Sequence, residues 1–410
     1  METIYMDTAV RKRELNRLLL SACFVAAVSY ASEEFIPGRL NVQKALLVFV
    51  VFVGILDFSC IRKKPICTMY WRPIILFTIP FCLSAVYTMV LCYFQGDGLG
   101  IVKQAVTTTL FLVVDLLVTI TIAQFFGKRT VKVMALSLVG AYLYAFVQTV
   151  RNNGLESSIK SLLSGMIERN DIGIAVVPLL LYYFYGFFVE KRTLKRDKFL
   201  ILLLLIVMVF CGKRSAFLSL AVGVFLILIV KHWRRKSVCI MRAAVWTTVL
   251  MCWLYIICIH SDALNGILAD KGTISDRLYV WKWFDNMYEL SPRYVGKGFN
   301  FVHRYMLAGL GSQMVNDYKY LHNTILQLYI ETGFYGFCVW IGIYLLGIPR
   351  VAMKKIGKDA YCFTVISVLA MFAIFIGDNA LTYPLYQICL YCSLYSVYHY
   401  EKAKIVGVER

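Results

Sequence analysis

Long apolar runs separated by short polar segments dominate this chain. About twelve such runs are visible, each of roughly 15–22 residues, which is close to the length that crosses about 30 Å of hydrocarbon as a helix. Their centres lie near Val25, Val51, Ala85, Leu116, Gly140, Leu180, Ile206, Gly223, Trp253, Trp340, Ala370 and Cys389. The pattern predicts an all-α polytopic membrane protein with about 12 transmembrane helices, forming one transmembrane domain over residues 1–410.

One segment interrupts the alternation of runs and short connections. Residues 260–323 form a long polar and aromatic stretch between two apolar runs. Because long loops in compact domains usually carry function, we predict a large extracytoplasmic loop that contains short helices and the catalytic residues. A shorter segment at 157–169 has apolar residues at helical spacing, which predicts a short helix, either on the outer interface or packed on the bundle.

The apolar stretch 199–230 predicts a hairpin. Only the four residues GKRS at 212–215 interrupt it. A single helix would measure about 48 Å, too long for one crossing, and basic clusters flank both ends. Two arms of about 13–16 residues would leave the tip at membrane depth. Charged residues persist there only inside protein or beside a wet cavity, so we predict that Arg214, next to Lys213, binds a ligand.

Composition and charge support a membrane location. The chain is 60% hydrophobic with a mean hydropathy of +0.68, more apolar than a soluble domain of 410 residues can bury. If the N-terminus is cytoplasmic and every run crosses, the cytoplasmic segments hold 28 of the 43 Lys and Arg but 8 of the 24 Asp and Glu. The net charge of +19 is therefore the bias that orients membrane proteins. It excludes nucleic acid as the partner and places both termini in the cytoplasm.

The N-terminus and the cysteines indicate no separate function. The basic cluster at 11–17 and the apolar run after it resemble a signal peptide, but the runs that follow favour a first transmembrane helix. The 13 cysteines lie in or beside apolar runs, so we interpret them as small buried hydrophobes. Their spacing indicates neither a disulfide framework nor a metal site.

A polar stripe follows the long loop. Asn323, Gln327 and Glu331 stand at i, i+4 and i+8, on one face of a helix. Such side chains usually face the bundle interior or a cavity. Hydrogen bonds between helices are the favoured explanation for Gln327 and Glu331, whereas His322, at the outer mouth, favours a functional role. Asp115, in the middle of the fourth run, leaves ion coupling open.

The outward segments combine cations with aromatic rings. Guanidinium and ammonium groups without clustered carboxylates for Mg²⁺ suit a phosphate-bearing ligand. A histidine suits proton abstraction from a hydroxyl group. Trp281, Trp283, Phe284 and Tyr294 offer flat faces to sugars. These residues permit attack by a sugar hydroxyl on an anomeric carbon that loses a diphosphate, but they do not single this reaction out.

Two of these segments resemble signatures of the O-antigen ligase and O-antigen polymerase superfamily. GKRSA at 212–216 resembles its S-R-[SG]-A segment, and ISDR at 274–277 with Trp281 looks like its GR…W stretch. Two positions depart from the family pattern. Lys213 replaces a small residue, and Asp276 stands where glycine is usual.

The other two segments carry the more specific part of the resemblance. VGKG at 295–298 resembles the family's G-x-G. HNTILQ at 322–327 and ETGFYG at 331–336 resemble HN-x-x-L-Q…E-x-G-x-x-G. The resemblance extends over residues 199–336, whereas the first five runs match only in hydropathy.

The resemblance implies a metal-independent, inverting glycosyltransferase without a cofactor, in the bacterial cytoplasmic (inner) membrane. Its donor would be an undecaprenyl-diphosphate-linked oligosaccharide on the outer face. Arg214 and Arg277 would bind the diphosphate, and His322 would activate the acceptor hydroxyl. The candidate substrate-binding residues are Lys213, Trp281, Lys297, Asn323 and Gln327.

Among the activities that the resemblance implies, we predict a repeat-unit polymerase for O-antigen, capsule or exopolysaccharide. The alternative is ligase-type transfer to lipid A-core, protein or another acceptor, because nothing in the sequence identifies the acceptor. The partners would be membrane lipid and other assembly proteins, such as a flippase and a chain-length regulator. A lipid-linked glycan flippase or other transporter is a further alternative, but it predicts midplane charge pairs and an internal repeat that the sequence does not show. The last alternative is that the chain is a non-catalytic partner in polysaccharide assembly.

Overall fold

The computed structural model describes residues 2–31, 39–56, 68–95, 99–158, 170–192, 195–261, 273–310 and 320–405. All regular secondary structure in these ranges is helical, of the α, 3₁₀ or π type, and no strand occurs among them. An apolar chain in lipid must satisfy its backbone hydrogen bonds internally, which a helix does within one segment. Most of the predicted helix at 157–169 lies outside the described residues.

The first part of the chain forms nine described helices. They are α1 (Glu2–Ala31), α2 (Arg39–Leu56), α3 (Thr68–Ile75), α4 (Ile79–Gln95), α5 (Leu99–Phe126), α6 (Thr130–Asn153), α7 (Asn170–Phe188), α8 (Lys195–Cys211) and α9 (Arg214–His232). A 3₁₀ turn at Gly127–Arg129 separates α5 from α6. Gly127 has φ of +51°, a left-handed conformation that commonly ends an α-helix.

The second part contains the predicted loop and the last helices. They are α10 (Ser237–His260), α11 (Thr273–Trp283), α12 (Phe301–Leu307), α13 (Thr324–Ile341), α14 (Ile348–Lys355), α15 (Lys358–Phe375) and α16 (Pro384–Ile405). A π-helical segment, Gly342–Gly347, joins α13 to α14. Helices α11 and α12 lie within residues 260–323, while the side of the membrane that this segment faces stays a prediction.

Six helical stretches in the described ranges are long and apolar enough to cross a membrane. A bent pair, α3 with α4, raises that number to as many as seven. The fold agrees with a polytopic membrane protein, but the twelve predicted crossings are not confirmed. Helix α8 has 17 residues, and the apolar part of α2 is only Lys44–Leu56. Hydropathy counts such short helices as full crossings.

Helix α15 lies at the centre of the bundle. Every residue from Ala360 to Phe375 is buried, and α15 packs against α9, α10, α14 and α16. A helix that is apolar on all faces is stabilised when neighbours cover each face. The loop that follows α15 is therefore anchored at one end of a tightly packed element.

The predicted hairpin at 199–230 is confirmed as two antiparallel helices, α8 and α9. Both pack on α7. Near the start of α7, Gly173 approaches Cys211 at the end of α8, and further along, Leu181 approaches Gly223 in α9. Hence α8 is antiparallel to α7 and α9 is parallel to it. The helices have 17 and 19 residues, about 25 and 28 Å, which exceeds the predicted arms because they continue into the polar flanks.

The sidedness of this hairpin gives a labelling prediction. Lys191 and Lys236, which flank α8 and α9, are exposed, as is Arg293. In a background cleared of reactive thiols, cysteines at positions 191 and 236 should resist an impermeant thiol reagent in intact cells, whereas one at 293 should react. Labelling at 236 but not at 191 would mean that the segment crosses the membrane once.

Candidate active site

The candidate active site is built around the loop between α15 and α16. Asp378 in this loop is fully buried. Its Oδ2 lies 2.6 Å from Lys213 Nζ, and its Oδ1 lies 3.6 Å from His322 Nδ1. The Tyr383 hydroxyl and the Asn379 backbone N–H donate to Oδ1 at 3.0 and 2.8 Å. Since a buried carboxylate needs charged and hydrogen-bonding partners, these five residues form one unit, the Asp378 cluster.

The tip of the α8–α9 hairpin brings Lys213 to Asp378. Gly212 ends α8 with φ of +62°, a conformation that glycine adopts without steric cost. Ser215 adds a hydrogen bond from its hydroxyl to Asp378 Oδ2 at 3.4 Å. Arg214 is exposed, and no hydrogen bond or ion pair joins it to another described residue. Its guanidinium is therefore available to an anionic ligand.

Helix α11 is fastened to the same loop. Arg277 Nη1 donates to the carbonyl oxygen of Gly377 at 3.0 Å, and its buried Nε has no hydrogen-bond partner among the described residues. One turn later, Trp281 is buried and its Nε1 donates to the Leu321 carbonyl oxygen at 2.8 Å. Helix α11 thus connects the residue before Asp378 with the residue before His322, and Arg277 keeps an unused donor.

His322 is held at the start of α13 in an uncommon backbone conformation. Its φ is +50°, which few residues other than glycine adopt and which is concentrated at functional sites. Asn323 caps α13, because its Oδ1 accepts from Leu326 N at 3.1 Å. Its Nδ2 donates to the Tyr255 hydroxyl at 3.0 Å, and that hydroxyl donates to the Ile376 carbonyl oxygen at 2.9 Å. These contacts position the imidazole relative to the 376–383 loop.

The charge state of the Asp378 cluster follows from its contacts. Burial would raise the pKa of Asp378, but the imidazole of His322 and the ammonium of Lys213 outweigh burial and hold this pKa below its ordinary value of 3.8. Burial, followed by the charge of Asp378, raises the pKa of Tyr383 well above 10.0. At neutral pH Asp378 is therefore ionised and Tyr383 keeps its proton for donation.

A cavity of about 400 Å³ adjoins the Asp378 cluster. Asn379 and Tyr383 of the cluster line it, and Gln327, Asn300 and Tyr320 add amide and hydroxyl groups. Its volume is in the range typical of small-molecule sites. Amides and hydroxyls both donate to and accept from sugar hydroxyls, so the lining suits a sugar.

The two glycine motifs interlock through their backbones. Gly333 interrupts the helical geometry of α13 with φ of +70°. At this kink the Tyr294 carbonyl oxygen accepts from Phe334 N at 3.0 Å, and Lys297 N donates to the Ile330 carbonyl oxygen at 3.0 Å. The loop before α12 is therefore docked on the broken helix.

A side chain at either interlocking glycine should destabilise the protein. A Cβ at Gly333 would lie 2.4 Å from the Val295 carbonyl carbon, and one at Gly296 would lie 2.5 Å from Gly333 N. The atoms that each Cβ would meet belong to the backbone, so they cannot move aside easily. Both glycines also have positive φ, and the strain of a side chain in that conformation costs about 1–3 kcal/mol. We expect Gly333→Ala and Gly296→Ala to lower the melting temperature of the detergent-purified protein. Gly342→Ala is the control, since a Cβ there meets nothing within 4 Å, and an equal loss in all three would contradict the interlock.

The structure brings three predicted site residues together. Lys213, Arg277 and His322 meet around the 377–378 backbone and carboxylate, and Arg214 is adjacent in the chain to Lys213. The other predicted residues lie around this group. Trp281 and Asn323 are buried and hold the segment around His322 in place.

Gln327 and Lys297 lie further from the Asp378 cluster. Gln327 lines the cavity and donates through Nε2 to Glu331 Oε1 at 3.0 Å. This contact lies within one helix, whereas the sequence pattern favoured hydrogen bonds between helices. Glu331 also accepts from the Val302 N–H at 3.2 Å. Lys297 is exposed, and its backbone N–H forms a hydrogen bond with the Ile330 carbonyl oxygen. Ile330 lies about 10 Å along α13 from the N-cap residue Asn323.

Asp378 is the site residue that sequence reasoning missed. The signal available was a carboxylate in the short segment Gly377-Asp378-Asn379 between the last two apolar runs. Its partners are distant in sequence, so only folding reveals them. Among the described residues, no group of three His, Cys, Asp or Glu side chains is arranged to hold a metal ion.

The fold and the site define a class, a helical membrane protein in which cationic and titratable side chains converge on a buried carboxylate. A family model described as O-antigen ligase matches residues 199–341, which include Lys213, Arg214, Arg277 and His322. The match confirms the predicted resemblance to the O-antigen ligase and O-antigen polymerase superfamily over this segment, just over a third of the chain. Members of this superfamily are glycosyltransferase-like membrane enzymes that act on lipid-linked polysaccharide. A search of curated proteins found no match.

Proposed function

We propose that this chain is an inverting glycosyltransferase that polymerises the repeat units of an O-antigen, capsule or exopolysaccharide. Its donor would be an undecaprenyl-diphosphate-linked glycan, and its acceptor a hydroxyl group of a second lipid-linked glycan. The reaction would take place at the outer face of the bacterial cytoplasmic membrane, with both termini in the cytoplasm. One observation carries this proposal, the convergence of Arg277, His322 and the Arg214-bearing tip on the loop that holds Asp378.

The two arginines are proposed to bind the diphosphate of the donor. A guanidinium presents parallel N–H donors that match phosphate oxygens and remains charged when partly buried. Arg214 is exposed without a described partner, and Arg277 has an unused buried Nε. Lys213 already pairs with Asp378, so its proposed role is to hold the tip in place while Arg214 contacts the ligand. Stabilising negative charge on the leaving diphosphate in this way requires no metal ion.

His322 is proposed to act as the general base. The acceptor oxygen attacks the anomeric carbon as the bond from that carbon to the diphosphate oxygen breaks, and the diphosphate leaves with the electron pair. The acceptor proton moves to His322 Nε2. Asp378 lies 3.6 Å from Nδ1, so its carboxylate would orient the ring and stabilise the imidazolium that forms. A single displacement of this kind inverts the anomeric configuration.

The 400 Å³ cavity is the proposed site for sugar. Asn300, Tyr320 and Gln327 supply the hydrogen-bonding groups. Trp281 and Asn323 would contribute by holding the segment around His322 in place. Lys297 would act from the docked loop on a more distant part of the glycan or its lipid. A flippase and a chain-length regulator remain the proposed protein partners.

Ligase-type transfer is the second candidate, because the matching family model is described as O-antigen ligase. Product analysis separates the two. In proteoliposomes supplied only with the lipid-linked glycan purified from cells that express this chain, a polymerase forms a ladder of products spaced by one repeat unit. A ligase forms no ladder and transfers glycan only after an acceptor lipid is added. If neither product forms, the proposal is contradicted. The reaction is expected to persist in EDTA.

A further inference from the structure

A second cavity, of about 790 Å³, lies at the opposite end of the helix bundle from the Asp378 cluster. Helices α7 and α16 connect the two ends. In α7, Asp171 lines the first cavity and Gly186 the second; in α16, Pro384 lines the first and His399 the second. A ligand in the second cavity would therefore occupy a site separate from the proposed active site.

The second cavity is strongly basic. Asp197 is the acidic residue among its described lining residues, and Glu190 pairs with Arg192 behind it. Against these two carboxylates stand five cations. They are Lys128, Arg129, Lys132, Arg192 and Lys198.

Arg192 shows that these charges are more than a solvated polar surface. Its guanidinium lies over the rings of Tyr182 and Tyr400, at 4.9 and 4.2 Å from the ring centroids. Its Nη1 donates to the Tyr182 hydroxyl at 2.8 Å. Its buried Nε has no hydrogen-bond partner within the described ranges. Stacking and the ion pair with Glu190 thus hold a desolvated cation with a spare donor at the wall of the cavity.

The same cavity has an apolar side. Val131 and Ile201 line it, and so does Phe187, whose side chain is 41% exposed. These residues belong to helices α6, α7 and α8, close to where they emerge from the apolar part of the bundle. A soluble anion would leave this surface in water, whereas a ligand with a phosphate and an apolar chain would cover it.

We propose that the second cavity binds the phosphate-bearing headgroup of an anionic phospholipid, with the acyl chains along Phe187. Basic pockets between transmembrane helices on the cytoplasmic side bind such headgroups through their phosphates. Arg192 supplies a fixed guanidinium, and the exposed Arg129 and Lys132 supply further charge at the rim. The site is independent of glycan transfer, so it stands or falls separately from the proposed function.

Native mass spectrometry of the full-length protein, titrated with phosphatidylglycerol or phosphatidylcholine in mixed micelles, tests this site. Arg129→Ala/Lys132→Ala removes two cations whose side chains contact no other described residue through hydrogen bonds or ion pairs, so folding should be kept. We expect phosphatidylglycerol to bind about thirtyfold more weakly to this variant than to the wild type. Phosphatidylcholine should bind weakly to both.

The matched control is Arg235→Ala/Lys236→Ala, which removes two exposed cations at the same end of the bundle but outside the cavity. Phosphatidylglycerol binding within twofold of wild type in this control supports a defined site. An equal loss in both double variants would overturn the proposal in favour of a diffuse positive surface. Displacement of the lipid by millimolar inorganic phosphate would overturn it in favour of a soluble phosphate ligand.

Discussion

Replacement of His322 with alanine is expected to lower the turnover number for glycan transfer by roughly 10²- to 10⁴-fold, the usual effect of losing a general base. The acceptor hydroxyl would then lose its proton only to water. Donor binding should change little, because the arginines and not the imidazole are proposed to contact the diphosphate. Initial rates in proteoliposomes at varied donor concentration measure both parameters.

His260→Ala is the matched control for this variant. His260 lies at the end of α10, in the same predicted loop, and its Nδ1 is likewise 3.6 Å from a carboxylate, that of Asp285. Turnover in this control should stay within a fewfold of wild type. Near-wild-type turnover in His322→Ala, or equal losses in both variants, would remove His322 from the role of base.

The second large effect is expected at the two arginines. Once the bound donor excludes water from these ionic contacts, removing one partner costs about 2–5 kcal/mol, and each 1.4 kcal/mol is a factor of ten. We therefore expect Arg214→Ala and Arg277→Ala each to lower turnover by roughly 30- to 3,000-fold. Arg→Lys at either position should restore only part of the loss, because an ammonium cannot form two parallel hydrogen bonds.

The structure predicts different side effects for the two variants. Arg214 is exposed and contacts no described partner, so its removal should leave the melting temperature unchanged. Arg277 also donates to Gly377, so its removal should lower the melting temperature as well as the rate. Lys282→Ala is the control, with the same charge on the same helix as Arg277. If Lys282→Ala lowers turnover as much as the arginine variants do, a diffuse positive field is responsible. The proposed contacts between the two arginines and the diphosphate would then be wrong.

The hairpin and its cationic tip could be predicted from sequence because they depend on local constraints. Helix length, flanking charge and one glycine-containing break determine where residues 199–230 must turn. The number of crossings could not be predicted in the same way. Hydropathy does not distinguish a full span from a bent pair such as α3 with α4, or from the 17-residue α8.

The candidate site shows the same division between local and long-range information. The positions of Arg214, Arg277 and His322 were available from sequence motifs. Asp378 was not, because its ion pair with Lys213 joins segments 165 residues apart that have no shared pattern. The glycine motifs were recognisable, but their role as a backbone interlock was not. The two backbones approach so closely that a Cβ at Gly296 or Gly333 would lie within 3 Å of backbone atoms, and no sequence spacing predicts this approach.

Release of the polyprenyl diphosphate tests the central claim most directly. Arg214, Arg277 and His322 are claimed to form one site that breaks the bond between the glycan and its lipid diphosphate while a new glycosidic bond forms. In proteoliposomes containing EDTA, wild-type protein should release one polyprenyl diphosphate for each glycosidic bond formed, and His322→Ala should release almost none. Movement of intact lipid-linked glycan across the bilayer without release of polyprenyl diphosphate would contradict the claim.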